Sequence, residues 1–363
     1  MYVNLKLFRT ALYLSLIKQP FSLRRWAYVG FFTALYWVMW LIVALGRALD
    51  HVFFPGFRRQ PITQPVFIVA PPRSGTTLTR RILDRHSRIG IATENHYLGH
   101  LLEWEGARHY FRRLGDLRDD ATVRRLVAFI YSPSFQRRSR LRELSPYWRW
   151  LTGKVPRADI EARLLASDRT ESGVFEAFLR IYADRRGKAI MGEKTPAHLA
   201  YAETLLEWFP DARIVHCMRD PRAIHVSELR RRSEEAVGFP YRQLVRVPAL
   251  LEGFVLLQVS WAWAMAVHRH RTLSRRFPRR YRLLRFEDLV VDPEATLAGL
   301  CAFLGVDMEP RMLEQKVTSK GARMGETGFD AGAAERWRGQ MGDRSRRTME
   351  LLLGRRLAEM GYR

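Results

Sequence analysis

Cysteine is almost absent from this 363-residue chain: Cys217 and Cys301 are the whole complement. Cys217 stands in an apolar run and Cys301 in the helical pattern of Leu297, Leu300, Phe303 and Leu304. Both therefore read as small buried hydrophobes rather than as a disulfide. Asparagine is equally scarce, with only Asn4 and Asn95, and neither opens an Asn-x-Ser/Thr acceptor. The two shortages favour a reducing compartment over a secretory lumen. Metal-ligand spacing is missing too, because His96, His100 and His109 are loosely set and have no cysteine partner, so no metal is expected. No nucleic-acid-binding module stands out, nor does an aromatic and basic recognition strand. Repeats and low-complexity tracts are lacking.

What is abundant is arginine. Lysine and arginine total 61 against 37 acidic residues, for a formal charge of +24, of which residues 1–60 carry +7. Such a surface suits an anionic cofactor, an anionic membrane or nucleic acid, and charge alone does not choose among them. With no recognition module in view, nucleic acid is the weakest of the three. The length fits one large α/β domain with appendages.

Residues 26–46 hold no charge and are bracketed by Arg24, Arg25 and Arg47. The run is long enough to cross a bilayer, and its tryptophans and tyrosines suit an interface. No small-residue cleavage site follows it, so it does not read as a removable signal. Residues 5–17 before it are amphipathic. A single span with five basic residues ahead of it would put the following domain outside, against the two absences above. An interfacial or re-entrant anchor avoids that conflict, so membrane attachment with a cytoplasmic-facing domain is the expectation. The alternative is a pair of helices packed on the domain. Residues 55–65 form a Pro/Arg-rich linker.

Residues 66–77 are the most informative stretch. Val66 to Ala70 reads as a buried strand. It is followed by a proline pair, Arg73, Ser74, Gly75, Thr76 and Thr77, and then by a helix carrying Leu78, Ile82 and Leu83. Strand, small-residue turn and helix start make an anion cradle, because backbone N–H groups and the helix N-terminus face one point while the hydroxyls add donors. A nucleotide triphosphatase loop would place a lysine after its last glycine. None follows Gly75, which disfavours metal-dependent phosphoryl transfer.

Four blocks in order carry a resemblance: Pro-Arg-Ser-Gly-Thr-Thr at 72–77, Gly-Glu-Lys-Thr-Pro at 192–196, the strand-turn-helix of 213–227, and 283–293. Together they resemble sulfotransferases that use 3′-phosphoadenosine 5′-phosphosulfate (PAPS), most nearly the protein-tyrosine and Golgi-type branch. The resemblance covers residues 64–340. It implies a P-loop-like, three-layer αβα fold around a mostly parallel sheet, residues 61–363 in all, with residues 101–187 as a helical acceptor-side insertion. It further implies that Arg73, Ser74, Gly75, Thr76 and Thr77 hold the 5′-phosphosulfate and that Arg219 pairs with Ser227, eight residues on, around the 3′-phosphate. Arg336 and Trp337 resemble the pair that closes over the cofactor. Lys194 resembles the lysine that stabilises the leaving phosphate. Glu94 matches the glutamate base that deprotonates the acceptor hydroxyl, with His96 as the competing base.

Those implications give a sulfuryl transferase acting on a lipid, glycolipid or glycan hydroxyl, with a peptide tyrosine also open. The rivals are a P-loop kinase or NTPase, and a non-catalytic membrane scaffold that keeps the fold. A homodimer is compatible with either reading. The final stripe Met349, Leu352, Leu353, Leu357 and Met360 is expected to be core packing. If residues 26–46 anchor the chain, full-length protein will sediment with membranes, and removing residues 1–60 will release a folded, soluble domain. Full-length protein that stays in solution without detergent would mean that the segment packs on the domain instead.

Overall fold

A strand covered on both faces has no polar side to show, and the first strand, Val66–Val69 (β1), is buried at every position. The computed structural model describes residues 64–98, 114–133, 135, 146–235, 241–317 and 325–362. The expected anchor at 26–46, and the arginine pairs at 112–113 and 137–138, lie outside them. Two packing units result. The larger spans Ile62–Ser227 and Val259–Arg363, and the smaller comprises, among the described residues, Glu228–Gln258.

Five parallel strands build the sheet of the larger unit: β1, Ile89–Ala92 (β2), Ile190–Lys194 (β3), Arg213–Met218 (β4) and Tyr281–Arg285 (β5), in the order β2-β3-β1-β4-β5. Ile68 pairs with Lys194 on one side and Val215 on the other, and Ala92 pairs with Glu193. After β1 the chain moves toward one edge and later crosses to the other side at β4. The loop following β1 therefore opens where the strand order reverses, the place at which open α/β sheets bind ligands.

Period-2 alternation sorts the layers. Val66 and Ile68 join Ile82 and Leu83 of helix Thr76–Arg85 (α1) and Leu297, Leu300 and Leu304 of Pro293–Leu304 in one apolar cluster. Phe67 points the other way and stacks on Phe175 of helix Glu171–Asp184, with Phe209 beside it. Helices thus cover both faces. Residues 101–187 are helical where described, at Asp120–Tyr131, Pro146–Lys154, Arg157–Leu165 and Glu171–Asp184. The last of these belongs to the sheet's second layer rather than to a cap, because Phe175 and Phe178 need the apolar cover that the sheet face provides.

Both cysteines are buried free thiols. Burial pushes the Cys217 thiol up to about 12. On the closing helix, Asp343–Glu359, Met349, Leu353 and Leu357 are buried, as is Met360 just beyond it. Leu352 is 44% exposed, contrary to expectation. The i, i+4, i+8 line through residue 349 leaves position 352 turned toward water. The 29-residue helix Pro248–Arg276 went unremarked in the sequence although it is long and apolar enough to cross a membrane by length and composition alone. Within the larger unit its Trp263, Ala266, Val267 and Leu273 are buried. In the smaller unit the Arg232 guanidinium lies 3.7 Å from the Tyr241 ring centroid, and Tyr241 bonds Gln258 at 2.6 Å.

His216 of β4 is fully buried and shares the Tyr281 hydroxyl with His270, at 2.7 and 2.9 Å. Burial, reinforced by His270, lowers the His216 pKa to about 3. The unfolded chain therefore binds a proton that the folded chain refuses. This contribution is complete above about pH 6.5 and is lost as pH falls toward 3. Between pH 7 and pH 5, urea unfolding should show about 2 kcal/mol less stability from this group, and His216→Gln should flatten that slope.

Candidate active site

Gly75 is the N-cap of α1 with φ 83, and no side chain caps the helix. Its first N–H groups thus face outward with the positive end of the helix dipole. The Ser74 hydroxyl is buried and, among the described residues, has no hydrogen-bond partner. Thr76 is buried, while Thr77 and Arg73 are exposed, Arg73 with a left-handed backbone at φ 68. Glycine at 75 is required twice over. Its φ is unfavourable to any side chain, and a Cβ there would lie 2.5 Å from Cδ2 of Phe286.

The carboxyl ends of β2 and β3 bring the second part. Lys194 closes β3 and is nearly fully buried. Its Nζ meets the Glu94 carboxylate and lies 3.4 Å from the Thr77 hydroxyl. Glu94 retains 28% side-chain exposure, so one face of the pair opens to solvent. Burial depresses the Lys194 pKa, and Glu94 opposes the shift by favouring the ammonium. His96 stands two residues on, half-buried, with a left-handed backbone at φ 53. Two residues separated by a hundred positions are thus brought together beside the cradle.

The third part follows β4. The Ser227 hydroxyl accepts from Arg73 Nε at 3.0 Å. Arg219 lays its guanidinium over the Phe286 ring, 4.2 Å from the centroid, and donates from Nη2 to the Ala333 carbonyl at 3.0 Å. An aromatic face and a buried carbonyl hold the planar cation better than an alcohol does. Arg219 Nε is buried without a partner, and burial lowers the group's pKa. The cradle's arginine bridges to the serine. Arg336 forks onto Asp330 at 2.9 and 2.8 Å. Trp337 is buried, with the Arg222 guanidinium 4.2 Å from its ring centroid. The 3₁₀ turn just before this pair, Ala331–Ala333, reaches the site through the Ala333 carbonyl.

Phe286 and Glu287 were missed as site residues, although the block that holds them was noticed. Glu287 accepts from the Asp220 amide at 2.9 Å and from the Tyr362 hydroxyl at 3.1 Å. Burial raises its pKa, with the Asp220 amide opposing. It thereby fixes the turn that carries Arg219. A glutamate directly after the last strand, where a sheet's carboxyl end meets a helix start, was the available signal.

Donors gather in this region. The Ser74 hydroxyl and Arg219 Nε, partnerless among the described residues, together with the uncapped α1 terminus and the exposed Arg73, suit a ligand that is anionic at two points. A family model described as the sulfotransferase family matches residues 65–310. The chain belongs to the sulfotransferase family. It is similar to an uncharacterized protein of Aquifex aeolicus (strain VF5), 23% identical over 295 residues, which cover 77% of this chain and 31% of that protein. It is also similar to omega-hydroxy-beta-dihydromenaquinone-9 sulfotransferase Stf3 of Mycobacterium tuberculosis (strain CDC 1551 / Oshkosh), 30% identical over 139 residues, 37% of this chain and 32% of that protein. The chain spans about a third of the length of the curated relatives it matches. Among solved structures, the sulfotransferase domain of the Synechococcus PCC 7002 olefin synthase is 21% identical, with a TM-score of 0.45, covering 81% of this chain and 96% of that one.

Gly75→Ala should destabilise the fold by roughly 2–3 kcal/mol, about 1–2 from the left-handed backbone and the rest from displacing Phe286. Chemical denaturation measures it. A loss below about 0.5 kcal/mol would mean that the loop relaxes freely.

Proposed function

We propose that this protein transfers a sulfuryl group from 3′-phosphoadenosine 5′-phosphosulfate to an acceptor hydroxyl, with Glu94 as the base and Lys194 as the cation that stabilises the departing phosphate. The observation that carries this reading is the buried Lys194 held between Glu94 and Thr77 at the mouth of the cradle. Arg73, Ser74, Gly75, Thr76 and Thr77 would hold the 5′ end of the nucleotide, and Arg219 with Ser227 the 3′-phosphate. Arg336 and Trp337 would close over it. When bound, the nucleotide supplies an activated sulfuryl group on a good leaving phosphate.

The residues divide the remaining tasks. The half-exposed Glu94 carboxylate accepts the proton of an incoming alcohol, whose oxygen is otherwise a weak nucleophile. Lys194 keeps a fixed positive charge in a site of low dielectric, where it counts for more than in water. Because Nζ reaches Glu94 and Thr77 from one position, a small side-chain rotation shifts the ammonium from the base toward the cradle. Arg73 joins Ser227 to the loop, so the two phosphate subsites are linked before a ligand arrives. No metal is invoked.

A lipid hydroxyl at a membrane surface is the proposed acceptor class. It is supported by the name of the mycobacterial relative and by the uncharged run at 26–46, which also motivates a membrane-associated, cytoplasmic-facing protein. Total lipid extract incubated with the protein and labelled donor should gain sulfate by mass spectrometry. Calorimetry with 3′-phosphoadenosine 5′-phosphate, in the absence of magnesium, should show binding that Arg219→Ala weakens by about 1.5–3 kcal/mol. Equal affinity for ATP would defeat the reading. Glu94→Gln should lower turnover by roughly 10²–10⁴-fold with nucleotide affinity little changed. If His96→Ala abolishes turnover while Glu94→Gln retains it, the base is His96.

A further inference from the structure

The turn that delivers Lys194 rests on a buried polar chain. Glu193 precedes Lys194 and, by strand alternation, points to the opposite face of the sheet, where Phe175 and His198 lie edge to face. It is 1% exposed, and its partners are one hydroxyl and one imidazole. One carboxylate oxygen accepts from the Thr195 hydroxyl at 2.7 Å, and the other meets Nδ1 of His198, itself 1% exposed. A buried carboxylate without a lysine or arginine partner is costly and weak as a source of stability.

Thr195 donates its one hydroxyl proton to Glu193. With Glu193 as a carboxylate, which only accepts, the proton of the second bond lies on Nδ1 of His198. The Thr195 oxygen is then left as an acceptor, and the Asn95 amide donates to it at 3.3 Å. Asn95 follows Glu94 directly, as Thr195 follows Lys194. The Asn95 carbonyl in turn accepts from Trp148 Nε1 at 2.8 Å, and its side chain accepts from the Tyr97 amide at 2.8 Å. On the other side, the carbonyl of Pro196 accepts from the Ala70 amide at the end of β1, at 3.2 Å.

We infer that Glu193, His198 and Thr195 are positioning residues, whose hydrogen-bond chain fixes the Glu94 loop to the Lys194 turn and so sets the separation of those two side chains. The Thr195 hydroxyl is the joint, since it holds the Asn95 amide of one segment and the Glu193 carboxylate of the other. Glu193 and His198 act by dictating which way that hydroxyl points. The inference rests on the proposed reaction for its catalytic meaning but not for its geometry.

The test uses full-length protein labelled with ¹³C-lysine, which is practical because the chain has only seven lysines. Thr195→Val keeps the shape and removes the hydroxyl, whereas Thr195→Ser keeps the hydroxyl and removes a methyl. Thr195→Val should move the Lys194 ¹³Cε resonance and lower kcat by about 10–100-fold, with the Kd for 3′-phosphoadenosine 5′-phosphate within about twofold of wild type. Thr195→Ser should leave the resonance in place and most of the turnover intact. A packing role predicts the reverse order, and serine as damaging as valine overturns the proposal. So does a valine variant with an unmoved Lys194 resonance, whatever its activity. If wild-type protein transfers no sulfate yet valine alone moves the resonance, the positioning stands and the reaction falls. Should Thr195→Val fail to fold, Glu193→Gln takes its place: an amide can donate back to the hydroxyl and release its direction, so the same shift is expected and its absence refutes the chain.

Discussion

An ammonium group buried at the end of a parallel strand needs a counter-charge within reach, and satisfying Lys194 shapes the region around it. The partner is Glu94, which follows the neighbouring strand β2. The pairing of Ala92 with Glu193 sets the two strands so that the chain leaves β2 level with the end of β3. Sliding either strand by one residue would invert its faces and send Lys194 into the aromatic layer around Phe175. Gly192 protects that register. A side chain there would collide with the backbone carbonyl of Val66 on the adjacent strand. The register of three strands and the placement of Glu94 and Lys194 are therefore one constraint.

Much of this was legible in advance because the signals were local. Residues 66–70 read as a strand from their apolar run, and that strand formed, ending at Val69. Glu94 and Lys194 came from a family resemblance, and their meeting is a tertiary fact that no local pattern contains. Arg219 and Ser227 came from the same resemblance. Spacing along a helix says which residues are near, but not what a guanidinium rests on, here Phe286 from a segment sixty-seven positions later. Leu352 failed because a list of apolar residues is not a face. The polar set Glu193, Thr195 and His198 was invisible, since a buried carboxylate looks like a surface one until its strand is known to be central.

Arginine abundance first suggested a charge for attracting anions. The structure uses many of these side chains as flat, packable groups as well. Arg219 covers Phe286, Arg222 covers Trp337, and Arg285 covers Tyr362. Arg222 is also gripped by Asp220 at 2.8 Å and by Glu350 at 3.0 Å. A lysine cannot stack in this manner or fork between two carboxylates, which gives a physical sense to the scarcity of lysine in a chain so basic. The formal charge consequently overstates the cationic surface left for a ligand.

Phe286 touches two histories at once. Its ring lies close to Gly75 and also carries the Arg219 guanidinium. The wall of the cradle and the rest for this arginine are a single aromatic ring. Changes at positions 75 and 219, although 144 residues apart in sequence, share a neighbour and will not add as independent energies. Any drift of the ring that made room for a larger residue at 75 would tilt the arginine's platform as well. Whoever wishes to redesign one of these two positions must therefore redesign the ring that serves both.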